Sequence, residues 1–203
     1  MTVPSRYNIS RFSADLIDEN ILKNKLAIKD QKLLEDTETI LLADTYQHFF
    51  DLFETGKIII DVQLLFDIHT FFFKPLYAWA GKIRRVNVSK DSMMFCGIEF
   101  IESSLKQFNK LLTDNLPERK EGKKITSKKL ALIHNELNAI HPFREGNGRA
   151  SRLFLDLLAV NAGYQIIDYS HFTNEAFIQA CVAGMSGKND PMEEIIYQGL
   201  TKQ

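Results

Sequence analysis

His141-Pro142-Phe143-Arg144-Glu145-Gly146-Asn147-Gly148-Arg149-Ala150-Ser151-Arg152 is the stretch around which the rest of the chain arranges itself. Upstream of it, Leu130, Ile133, Leu137 and Ile140 recur at helical spacing, with Ser127 as the expected N-cap. Downstream, Leu153, Leu157 and Val160 give a helix over about 149–160 a buried face, and Gly163 is its expected terminator. The sequence therefore predicts two helices joined by a short glycine-rich loop.

Gly146 and Gly148 lack Cβ atoms, so the backbone can turn sharply and come close to a ligand. Asn147 tolerates left-handed backbone better than most residues. Successive N–H groups in such a turn can form an anion nest, and the helix behind it adds a positive dipole end. Arg149 and Arg152, three apart, can share a helix face and grip a polyphosphate. Glu145 is out of place in a plain anion site, but it suits a site that also holds Mg²⁺, which takes one or two carboxylates plus phosphates. His141 can act as a base near neutral pH. A lone histidine could instead serve a helix C-terminus, and a lone Gly-Asn-Gly could be an ordinary loop. Base, carboxylate, nest and paired arginines within twelve positions argue against both.

Elsewhere the pattern is mostly helical. Leu33, Leu34, Ile40, Leu41 and Phe49 predict a helix over about 28–53, and Asp61 is placed to cap a second helix through Leu64, Leu65, Ile68 and Phe72 that ends at Pro75. Alternation over Ile83–Val88, a polar turn, and a return over Met93–Ile98 predict one β-hairpin. A helix follows over about 99–112, and 117–124 reads as a surface loop. No linker or repeat divides the chain, so the expectation is one unit over 1–203: a helical extension over 1–55, a core over 56–187 and a tail helix over 188–203.

Composition sets the outer limits. The 203 residues are 45% hydrophobic and 25% charged, which argues against global disorder. A formal net charge of −1 argues against a dedicated nucleic-acid binder. Cys96 and Cys181 stand in no metal-binding spacing and read as free thiols. No apolar stretch is long enough to span a membrane, and the first twenty residues contain no signal-peptide core. The expectation is a cytoplasmic protein, unless a specialised system exports it.

His141 through Arg152 resembles the Fic (filamentation-induced-by-cAMP) motif, His-x-Phe-x-[Asp/Glu]-Gly-Asn-Gly-Arg-x-x-Arg, at every fixed position. Leu76-Tyr77-Ala78-Trp79-Ala80-Gly81-Lys82-Ile83-Arg84 is similar to the stretch that leads into the family's hairpin flap. Asn24-Lys25-Leu26 and the acidic helix after it are similar to the N-terminal part of bacterial members. The resemblance runs from about Leu22 to Gly187. It implies a mainly α Fic fold, a helical bundle with one β-hairpin flap beside the active site.

It also implies a protein adenylyltransferase that moves AMP from ATP to a Ser, Thr or Tyr hydroxyl of a target protein, with release of pyrophosphate. His141 would be the base, and Glu145 would place Mg²⁺. Gly146, Asn147 and Gly148 would cradle phosphate, with Arg149 and Arg152 on the β- and γ-phosphates. Val88, Ser89, Lys90, Met93, Met94 and Phe95 of the flap would dock the target, although core packing accounts equally well for Met93, Met94 and Phe95. Transfer of UMP, phosphocholine or phosphate is the alternative within the enzyme class, and a catalytically silent nucleotide-binding module is the alternative outside it.

Family members are commonly silenced by a helix carrying [Ser/Thr]-x-x-x-Glu-[Gly/Asn]. Here Glu precedes Gly or Asn only at Glu19, Glu121 and Glu145, with Asp15, Pro117 and His141 four residues earlier. None completes the motif, so the resemblance implies a separate small antitoxin, with Glu19 in a helical stretch as the alternative.

Overall fold

Asp30 and Asp61 open the first two helices in the same way. Helix α1, Gln31–Glu54, starts where the Asp30 carboxylate accepts the Leu33 N–H at 2.7 Å. Helix α2, Val62–Phe73, starts where Asp61 accepts the Leu64 N–H at 3.1 Å. Each cap satisfies an orphan donor of the first turn and contributes about 1 kcal/mol. The computed structural model describes residues 8–9, 17–18, 21–90 and 93–203.

Further along the chain come α3 (Ile101–Asp114), α4 (Lys123–Ile140), α5 (Asn147–Asn161), α6 (Asn174–Met185) and α7 (Asp190–Gly199). Helix α4 lies at the centre, packed by α3, α5, α6 and α7, while α2 bridges α1 and α5. Helix α5 is buried all round from Leu153 to Val160 rather than on the single face its spacing suggests. It is a core helix, and Asp156 inside it is satisfied by Tyr46 Oη of α1 (2.8 Å) and the Ile167 N–H (3.0 Å). A smaller apolar cluster of Leu34, Phe72, Phe73, Leu76 and Tyr77 joins α1 to α2.

The extended segments depart furthest from expectation. The hairpin forms, but from β4 (Val88–Lys90) and β5 (Met93–Met94), paired Ser89 to Met94 and Lys90 to Met93. It is shorter than expected because its flanks lean on the end of α4 instead of on each other: the Arg84 N–H donates to Pro142 O and the Cys96 N–H to Ala139 O, both at 2.9 Å. Ile98–Phe100 turns into a 3₁₀ segment ahead of α3. On the other edge of β4 lies β1, Asn8–Ile9, so the sheet order is β1-β4-β5.

Two other readings are corrected. The region over 1–55 is not purely helical: besides β1 it contains the antiparallel pair β2 (Ile17–Asp18) and β3 (Ile21–Leu22). A helix through Ile17 and Asp18 is therefore not formed, and Asp15, Glu19 and Asn20 lie outside the described residues. Ser127 is not a cap: α4 begins a turn earlier behind Gly122, and the Ser127 hydroxyl donates to Lys124 O at 3.0 Å. The tail helix ends at Gly199, and α6 is a helix that the sequence reading leaves unassigned. No helix among the described residues is long and apolar enough to cross a membrane.

Candidate active site

Helix α4 ends at His141, whose backbone adopts left-handed angles (φ 48, ψ 60). A β-carbon makes that conformation costly, and the following Pro142 favours extended backbone here, so the turn is strained. Its N–H still closes the helix on Leu137 O at 2.9 Å, and its carbonyl accepts Arg84 Nε at 2.8 Å. The imidazole is 6% exposed and stacks on Phe95 of the flap, ring centroids 3.7 Å apart at 14°. Burial, and then the nearby Arg84 charge, lower its pKa to about 3. The ring is neutral at pH 7, the form that accepts a proton.

The loop beyond is built from internal bonds. Phe143 is fully buried between Phe66, edge-on, and His69, stacked at 3.7 Å. Asn147 Oδ1 accepts the Phe143 N–H and its Nδ2 donates to Phe143 O, both at 2.8 Å. The Asn147 side chain therefore holds the turn closed. Gly146 has φ +79, and a Cβ there would lie 2.0 Å from Phe73 Cε2. The fold itself requires that glycine.

Gly148 is different. It stands in the first turn of α5, is exposed, has no positive φ, and a Cβ there would meet nothing within 4 Å. Among the described residues nothing requires glycine at this helical position, where it costs up to about 1 kcal/mol against alanine. Around it, the N–H groups of Asn147, Gly148 and Arg149 have no acceptor within the helix. The arrangement is an open, positively polarised helix end.

Glu145 Oε1 accepts the Gly146 N–H at 3.0 Å and lies 3.7 Å from Arg149 Nη2. Among the described residues no three ligating side chains cluster, so a cation here would have one protein carboxylate and would draw its other ligands from phosphate and water. That donor set suits Mg²⁺. The two arginines have different surroundings. Arg149 donates through Nη1 to Glu38 Oε2 at 2.5 Å and lies over Phe72 and Phe73. Arg152 is exposed and lies over Tyr169 and Phe177.

In the flap, side chains alternate as a strand requires. Val88, Met93 and Phe95 are buried, Met94 is 82% exposed, and Ser89 and Lys90 are half-buried. Core packing thus accounts for Met93 and Phe95, with Phe95 also touching His141. Since β1 and β5 pair with β4 on both sides, the free backbone edge of this sheet that belongs to the flap is that of β5.

Four residues that build the site were not singled out from sequence. Arg84, 3% exposed, ties flap to loop by donating to the carbonyls of His141, Val86 (2.8 Å), Cys96 and Ile140 (3.3 Å). His69 accepts the Gly81 N–H at Nδ1 (2.9 Å), so Nε2 carries the proton donated to Glu145 O (2.9 Å). Burial lowers its pKa to about 4. Glu38 and Tyr77 hold Arg149, the Tyr77 hydroxyl donating to Glu38 Oε1 at 2.6 Å. No motif marks Glu38 in the sequence, and only the packing of α1 on α2 and α5 reveals it.

Known proteins share this fold. The profile of the Fic/DOC family matches residues 59–159. "Protein adenylyltransferase VbhT" of Bartonella schoenbuchensis is 35% identical over 188 residues, covering 91% of this chain and 38% of its own length. The chain thus spans well under half of that relative. It spans nearly all of another, the "Probable protein adenylyltransferase y4lH" of Sinorhizobium fredii, 31% identical over 92% of this chain and 95% of the relative. The crystal structure of BepC from Bartonella tribocorum, with bound AMPPNP, superposes with a TM-score of 0.76 at 25% identity, covering 93% of this chain and 97% of that one. Alignment of a whole relative from end to end, together with the agreement in fold, shows that this chain belongs to the Fic/DOC family.

Proposed function

We propose that this protein is a protein adenylyltransferase that moves AMP from ATP to a hydroxyl side chain of a target protein. The observation that carries the reading is Gly148: an exposed position in the first turn of α5, where a Cβ would meet nothing within 4 Å and the N–H groups have no acceptor within the helix, in the loop that begins at His141. The relatives named protein adenylyltransferase and the AMPPNP-bound neighbour support the same reading.

In this reaction the neutral His141 imidazole takes the proton from a target Ser, Thr or Tyr hydroxyl. The hydroxyl oxygen attacks the α-phosphorus of ATP, the bond to the bridging oxygen breaks, and pyrophosphate leaves. The backbone N–H groups at Asn147, Gly148 and Arg149 hold phosphate oxygens, and the exposed Arg152 faces the outer phosphates. Mg²⁺, held by Glu145 and the phosphates, would offset charge on the nucleotide. The protein works by placement and charge compensation rather than by covalent chemistry. The low pKa of His141 rises as triphosphate charge arrives beside it.

The flap guides the target through the β5 edge and the exposed Met94. Residues 1–203 act as one catalytic unit in the cytoplasm, where Cys96 and Cys181 remain free thiols. Control falls to a separate small inhibitory protein, because none of Glu19, Glu121 and Glu145 completes the inhibitory motif in the sequence, Glu19 being the alternative. Incubation with ATP, UTP, GTP and CTP, each labelled at the α-phosphorus, alongside bacterial lysate tests the assignment. Protein-bound label from ATP above the other three is expected. Label from UTP alone, or from none of the four, overturns it.

A further inference from the structure

We propose that Glu38, on α1 and outside the stretch matched by the family profile, is a positioning residue of the transfer site. It fixes Arg149, and Arg149 holds the Glu145 carboxylate in place instead of gripping phosphate. The inference rests on the reading of Glu145 as the carboxylate that meets a phosphate-bound cation.

Each end of this chain of contacts is accounted for. Arg149 Nη1 is taken by Glu38 Oε2, while Nη2 is shut off from solvent and faces Glu145 Oε1 at 3.7 Å. The guanidinium plane lies about equally far from the Phe72 and Phe73 rings, 5.0 and 5.1 Å from their centroids. With one terminal nitrogen occupied and the other buried, this guanidinium cannot offer a two-pronged fork to a phosphate. Glu38 is itself fixed, since its second oxygen accepts the hydroxyl of Tyr77, a residue 1% exposed. An acid that merely blocked the arginine until ATP displaced it would need a way out. Glu38, 6% exposed and fastened from behind, has none. The contacts run from Tyr77 through Glu38 and Arg149 to Glu145, an outer shell that aims the carboxylate as outer-shell groups aim metal ligands elsewhere.

The test uses the full chain and its Glu38→Gln variant, which keeps the shape of the side chain and removes the charge. ATP affinity is measured by calorimetry with and without Mg²⁺, and AMP transfer is followed across a Mg²⁺ titration. Glu38→Gln should leave ATP affinity without metal within about two-fold and raise the half-saturating Mg²⁺ by about 10–100-fold. Tighter metal-free ATP binding or faster transfer would mean that Glu38 competes with phosphate for Arg149, and unchanged Mg²⁺ dependence would mean that it positions nothing. Either result overturns the proposal. Tyr77→Phe should shift the same titration in the same direction, by less, and carries the test if Glu38→Gln does not fold. If wild type transfers no AMP, the catalytic reading fails. The positioning claim is then judged on calorimetry alone, by whether the Mg²⁺-dependent gain in ATP affinity is lost in the variant.

Discussion

Replacing Gly148 and Gly146 separately by alanine should move stability and function in opposite ways. At Gly148 the new Cβ meets no protein atom within 4 Å and the backbone is helical, so Gly148→Ala should stabilise the fold by up to about 1 kcal/mol. In a chain of this length that raises Tm by about 2–4 °C. The same methyl group projects from the open first turn of α5, where phosphate is proposed to sit, so ATP affinity and AMP transfer should fall at least about ten-fold, a loss of about 1.4 kcal/mol or more. At Gly146, left-handed backbone costs an alanine about 1–2 kcal/mol. The contact at 2.0 Å with Phe73 Cε2 adds an overpacking cost of about 1–3 kcal/mol. Gly146→Ala should therefore lower Tm by several degrees at least. Thermal melts and ATP calorimetry on both variants decide the matter. A Gly148→Ala protein that melts higher and binds ATP like wild type would refute the claim that this glycine is kept for a ligand. One that melts lower would refute the geometry.

Acidification should destabilise the fold. Burial lowers His69 and His134 to about 4 and His141 to about 3, so between pH 6.5 and 4 the unfolded chain binds more protons and stability falls with pH. Each histidine accounts for about 3 kcal/mol over that window, partly offset by Asp156, raised to about 6 by burial. Denaturant midpoints measured across this range should decline, and a flat profile would contradict the burial of neutral histidines. The acid limb of kcat/KM due to His141 should lie below pH 5, and a limb near 6.5 would mean that the free enzyme's base is an exposed group. Arg84→Met leaves four carbonyl groups without their donor and should cost at least about 3 kcal/mol, read as a lower denaturant midpoint. An unchanged midpoint would mean that those bonds are replaced by water.

The parts of this protein legible in sequence are those set by local chemistry. Asp61 announces α2, the spacing of Leu130 to Ile140 announces α4, and the glycines from 146 to 148 announce a tight turn ahead of a helix. What could not be read depends on partners distant in the chain. The ends of the hairpin are decided by Pro142 and Ala139, which take the backbone donors of Arg84 and Cys96. Two residues as alike in the motif as Arg149 and Arg152 part company because α1 and α2 enclose one while the other lies over Tyr169 and Phe177. Likewise nothing near Gly146 and Gly148 in sequence separates them: the Phe73 ring makes one a requirement of the fold, and a Cβ at the other would meet nothing within 4 Å.

The central claim is tested most directly by supplying ATP labelled at either the α- or the γ-phosphorus to wild type and to His141→Ala, with ATP affinity measured in parallel. The account predicts protein-bound label from the α-position only. In His141→Ala that label should fall by about 10²–10⁴-fold in rate while ATP binding is preserved. Label from the γ-position would make the protein a kinase, and transfer at wild-type speed by His141→Ala would remove His141 as the base.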